Sequence, residues 1–209
     1  MHQNGKAVVH AGRDPDRTRR RILAAALVEF STKGFAGARV DAIARRARGN
    51  KRMLYHYFGN KKGLFGAVLR HKITERAQWG AQLPDDPGQC VALWFQSACN
   101  DADWVRLLEW EALQNGGGKF LDYQERLASV GGWLQGLRRR QEKGTLTTAY
   151  DSGHLALVLL SLTLFPMAFP QLVRLYTGES VTSPQFQCAY GKFLRKFAQV
   201  FNPRVSSRK

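Results

Sequence analysis

The sequence predicts an all-α fold in two parts, and three observations carry that expectation. Apolar residues recur at the three- and four-residue spacing of amphipathic helices, and nowhere do they alternate as in a strand. Capping residues, prolines and glycines stand where such helices should start and stop. The charge is also unevenly divided. Of a net +16, residues 1–72 hold +13, from 17 Lys and Arg against 4 Asp and Glu. Residues 73–209 hold +3, from 15 against 12. Hydrophobic residues make up 44% of the 209, so the charge is no mark of disorder. It belongs to a basic N-terminal module, as a polyanionic partner would require.

Residues 1–13 have no apolar core, so they read as a mobile tail and not as a secretory signal. The first helix opens at Asp14-Pro15, an N-cap followed by proline at the first helical position. Ile22, Leu23, Ala26, Leu27 and Phe30 form its stripe, Gly34 stops it, and Phe35 follows as a core anchor. A short helix over residues 40–47 buries Val40, Ile43, Ala44 and Ala47 and exposes Asp41, Arg45 and Arg46. Asn50 caps a third helix over 51–58, with Leu54 and Phe58 inward and Lys51, Arg52, Tyr55 and His56 on its other faces. Gly59-Asn60 separates it from a fourth over 61–80, with Leu64, Phe65, Val68, Leu69 and Ile73 as its buried stripe.

Two short helices joined by a tight turn, the second basic and aromatic on its exposed side, describe a helix-turn-helix. Such a second helix places side chains in a major groove, where they reach base edges and phosphates. Lys51 and Arg52 oppose the macrodipole in its first turn, which costs about 0.3 kcal/mol or more each. A polyanionic partner would offset that cost. The expected organisation is a helix-turn-helix domain over 14–60 and a larger helical domain over 61–209, with 61–80 as the connecting helix.

The Pro84–Pro87 turn marks a change of composition. Further helices are expected at 88–99, 103–114, 119–143, 152–165 and 183–201, the last opened by Ser183-Pro184. The longest apolar run, 155–169, is shorter than the ~20 residues of a membrane span and holds Pro166. It reads as a buried core helix. Three cysteines without a CxxC pair point away from a disulfide framework or a zinc site and towards a reducing cytoplasm. Gly116–Lys119 lacks the rest of a phosphate loop and reads as an interhelical connection. Asp151 reads as a cap, and no set of residues reads as catalytic or metal-binding.

The runs Arg21-Ile22-Leu23 through Phe30, Lys33-Gly34-Phe35, Val40-Asp41-Ala42-Ile43-Ala44, and Leu54-Tyr55-His56-Tyr57-Phe58 with Asn60-Lys61 resemble the DNA-binding domain of TetR-type transcriptional regulators. The match spans about residues 17–69. The resemblance implies a homodimer bound to double-stranded operator DNA, usually a repressor released from a palindromic site by a small-molecule effector. It places Asn50, Lys51, Arg52, Tyr55 and His56 in the recognition helix, and Tyr55 and Lys61 at positions that commonly touch phosphates. Two departures stand out. Arg48-Gly49 replaces the usual Gly-Val of the turn, so Arg48 is expected to take the left-handed conformation. Ala38-Arg39 replaces the usual Thr or Ser cap of the second helix, and Arg39 becomes a candidate phosphate contact.

All five tryptophans lie in the C-terminal part. Trp79, Trp94, Trp104, Trp110 and Trp133, with Phe120 and Tyr123, are candidate walls of an apolar ligand pocket. Glu109 and Glu111 would then attract a cationic group. The helix over 152–165 is apolar on nearly all sides and must be buried. Leu155, Leu159 and Leu162 from it, and Phe186, Tyr190, Phe193 and Phe197 from the last helix, are the candidate dimer face. No cofactor or membrane partner is expected. Two alternatives remain open: a constitutive DNA-binding protein with a solid C-terminal core, and a hydrophobic-ligand carrier with a membrane-binding basic end. The absence of an unbroken basic amphipathic helix disfavours the second.

Overall fold

A computed structural model describes residues 14–80, 83–115 and 123–203. These residues form α1 (Pro15–Gly37), α2 (Val40–Arg46), α3 (Lys51–Phe58), α4 (Lys61–Gly80) and α5 (Pro87–Asn100). They continue with α6 (Ala102–Asn115), α7 (Tyr123–Glu142), α8 (Ser152–Ala168), α9 (Pro170–Thr177), α10 (Pro184–Ala198) and a short 3-10 turn (Gln199–Phe201). No strand occurs among them. The tail, the Gly116–Lys119 connection and Phe120 lie outside the described residues.

Helix starts follow the capping chemistry. Asp14 accepts hydrogen bonds from the N–H groups of Asp16 and Arg17, and Asn50 from Met53. Asn60 accepts from Gly63, Asp86 from Gln89, Asp151 from Gly153 and His154, and Ser183 from Phe186. Each satisfies donors that a helix leaves unpaired at its start. Gly34 interrupts α1 with φ 65° and ψ 177°, and a further turn carries the chain to Gly37.

Two elements differ from the sequence expectation. α8 runs past Pro166 to Ala168. Proline cannot donate to the carbonyl four residues back, and that carbonyl, on Leu162, accepts the Tyr190 hydroxyl at 3.0 Å instead. The sequence reading also passed over α9. It is eight residues long and buries only Val173, too short a stripe to register as periodic. Its punctuation was present, with Pro170 at its first position and Gly178 left-handed at its end.

Two apolar clusters organise the packing. The first joins Ile22, Phe30, Ile43, Leu54, Phe65 and Val68 of α1–α4 with Trp104 and Leu107 of α6. Phe35 and Phe58 are partly buried against it. The second joins Val91 and Phe95 of α5, Leu137 of α7, Leu155 and Leu159 of α8, and Phe186 and Leu194 of α10. α6 also bonds to α1 directly: the Ser31 hydroxyl donates to Asp103 at 2.9 Å, and the Trp110 indole donates to the Ser31 carbonyl at 3.1 Å.

This packing corrects part of the expected dimer face. Leu155, Leu159 and Phe186 are buried inside the subunit, where α5, α8 and α10 meet. Leu162 and Tyr190 are half-buried against the same cluster. Phe193 and Phe197 stay exposed, at 50% and 37%. An aromatic stripe at helical spacing spans more than one face, and the neighbour on one side takes the first residues of this one.

Candidate functional site

The exposed side of α3 carries Lys51, Arg52, Tyr55 and His56 beside the Asn50 cap. Arg52 has no hydrogen bond or ion pair to another described residue. The Lys51 ammonium meets Asp41 of α2 at 2.9 Å, and this hydrogen bond raises its pKa above the ordinary lysine value. The carboxylate thus balances a positive charge that the start of α3 would otherwise disfavour. The Lys61 ammonium donates to the Ala36 carbonyl at 3.1 Å and lies 5.0 Å from the centre of the Phe35 ring. Its position is therefore set by the end of α1.

The unusual turn is accommodated. Arg48 takes φ 49°, as expected for a residue standing in for glycine. A Cβ on Gly49 would collide with the methyl of Met53, so that side chain fills the space a larger residue would occupy. Sequence reasoning missed the clamp on this turn. The Arg21 guanidinium donates to the Ala47 carbonyl at 2.8 and 3.1 Å and to that of Arg48 at 3.3 Å. Its partners lie 26 and 27 residues away, beyond the reach of any local pattern. Arg39 is exposed at the start of α2 without a side-chain cap bond. Buried Glu29 accepts the Arg39 N–H at 3.1 Å and pairs with Lys33 at 2.8 Å. Burial opposes the charge on Glu29, but these two bonds outweigh it and hold its carboxyl below the ordinary range.

Behind the first cluster lies a cavity of about 1260 Å³, walled by α4, α6, α7 and α8 with Trp94 of α5. Trp79, Trp94, Trp104 and Trp133 line it, and Trp94 and Trp133 stack on each other at 4.5 Å. Trp110 and Tyr123 do not. Trp110 packs against the Gly34 kink in α1, and Tyr123 is exposed at the start of α7. The acidic wall expected from Glu109 and Glu111 is absent from the lining. Glu111 is buried in a two-pronged pair with Arg126, at 2.6 and 2.8 Å. The described C-terminal helices therefore leave space between them.

No group of three or more His, Cys, Asp or Glu among the described residues could hold a metal ion. No single described helix is long and apolar enough to cross a membrane. α8 and α9 together reach that apolarity, but they are bent by 89°.

A family profile described as bacterial regulatory proteins, tetR family, matches residues 22–68, and one described as tetracyclin repressor-like, C-terminal domain, matches 86–191. The HTH-type transcriptional repressor SCO4008 of Streptomyces coelicolor is 34% identical over 168 residues, covering 80% of this chain and 88% of that protein. The HTH-type transcriptional repressor NicS of Pseudomonas putida is 39% identical over 108 residues, 48% of this chain and 51% of its own. The crystal structure of SCO4942 from Streptomyces coelicolor superposes with a TM-score of 0.74 at 28% identity, covering 90% of this chain and 99% of that one.

Proposed function

Because this chain belongs to the tetR family of DNA-binding transcriptional regulators, we propose that it acts as a homodimeric repressor released from a palindromic operator by a small molecule held in the cavity. The observation that carries the reading is the pairing of a capped, basic α3 with a 1260 Å³ cavity walled in part by α4, the helix that follows it. The names of SCO4008 and NicS support repression. Two recognition helices would meet half-sites about 34–36 Å apart, or a multiple of that. An effector that favours a conformation in which this spacing is lost lowers operator affinity by its differential binding to the two states. No catalytic step is required.

A gel shift on the DNA upstream of the chain's own gene tests this, beside a liposome pull-down for the carrier alternative. Specific retention of DNA without liposome binding is expected. Lys61→Ala should weaken all DNA sequences alike and flatten the salt dependence by about 0.9 per phosphate contact. Arg52→Ala should alter sequence preference instead. An unchanged salt slope for Lys61→Ala removes that residue from the interface.

A further inference from the structure

The charge on the cavity wall has one dominant sign. Arg76, Arg126, Arg139, Arg140 and Lys143 line it, against Asp85 and Asp151. Both acids are already engaged. Asp85 lies 3.6 Å from Arg140 and 3.2 Å from Lys143, and Asp151 caps α8. Arg76 of α4 is the key group. Its side chain is 22% exposed and its guanidinium stands 5.7 Å from the centre of the Trp104 ring. Asp101 pairs with it at 3.6 Å but hydrogen-bonds Lys72 at 2.8 Å, so its charge is shared between the two cations. No described residue accepts a hydrogen bond from the Arg76 fork. At the α7 end, the buried Arg140 Nε faces Asp85 without a hydrogen bond, while its Nη2 donates to the Leu83 and Pro84 carbonyls, both at 3.1 Å.

From this geometry we infer that the effector is an anion on an aromatic or otherwise apolar body, with Arg76 as the partner of its acidic group. The inference rests on the reading of the cavity as the effector site and adds the sign of the ligand's charge. A planar guanidinium matches a carboxylate with two parallel hydrogen bonds, and the indole faces receive the apolar body. A cationic ligand is disfavoured on two counts. Glu111 is spent on Arg126. The Trp94 and Trp133 rings are also closed on each other at 4.5 Å, leaving no slot for a cation between them.

Calorimetric titration of the full chain with three probes of one shape tests this: 1-pyrenecarboxylate, 1-pyrenemethanol and 1-pyrenemethylammonium. The carboxylate should bind about tenfold tighter than either of the others. Arg76→Gln should abolish that preference while leaving the alcohol's affinity unchanged, and Arg76→Lys should restore part of it. If the alcohol or the ammonium binds as tightly as the carboxylate, the charge assignment is overturned and the cavity reading stands. If the preference survives in Arg76→Gln, the role of Arg76 is overturned. If none of the three binds, the effector-site reading fails and this inference falls with it.

Discussion

Arg48 shows how a local cost is met by distant partners. A residue with a Cβ at φ 49° bears about 1 kcal/mol of strain relative to glycine, and its carbonyl would otherwise project from an irregular turn. Arg21 holds that carbonyl and the one before it, so the link between α2 and α3 is anchored from α1. Met53 occupies the space that Gly49 leaves. Arg48→Gly should therefore raise stability by about 1 kcal/mol, read as an upward shift of about 2–4 °C in the melting temperature. A lower melting temperature would mean that the Arg48 side chain contributes contacts worth more than the strain.

At the scale of the element, the kink in α1 seats α6 against the first cluster. Gly34 has φ 65° and ψ 177°, a conformation open in practice only to glycine. A Cβ there would lie 2.7 Å from the Trp110 ring. That indole is itself fixed by its bond to Ser31, so it has little room to retreat. Gly34→Ala combines backbone strain with overpacking and should cost about 3 kcal/mol, measurable by urea denaturation. A loss under about 1 kcal/mol would show that Trp110 moves aside easily and that α6 is loosely docked on α1. α8 shows the same interdependence. Its last turn survives Pro166 because Tyr190 of α10 supplies the donor that proline lacks.

For the whole molecule, the exposed apolar surface indicates how two copies would meet. Phe193 and Phe197 of α10 remain uncovered and stack on each other at 5.6 Å. On α8, Val158 and Phe165 are exposed at 46% and 48% and lie on a different side of the helix from Leu155 and Leu159. Exposed apolar side chains of this kind are where the proposed dimer would associate. Phe193→Asp should convert a dimer to a monomer at micromolar concentration in sedimentation velocity and weaken operator binding by more than tenfold. The melting of the N-terminal cluster should be unaffected. A dimer of unchanged affinity would place the interface elsewhere.

The helical class, most element starts, the helix-turn-helix and its exposed face were legible in the sequence because each follows from short-range chemistry. An Asp or Asn caps within three residues, an apolar stripe repeats within four, and a Gly-Asn pair ends one helix and starts another. The family resemblance also placed Arg48 in the left-handed region, since it stands where such turns usually carry glycine. Tertiary structure alone decided which side of an all-round apolar helix faces inward. Leu155 and Leu159 became core while Val158 and Phe165 stayed outside, because α5, α6 and α7 cover only part of α8. It also decided which tryptophans line a cavity and which, like Trp110, lock a kink. The sign of the cavity wall was hidden for the same reason. Glu111 reads as an acid in the sequence, and only the fold brings Arg126 against it and turns Arg76 towards the space between the helices.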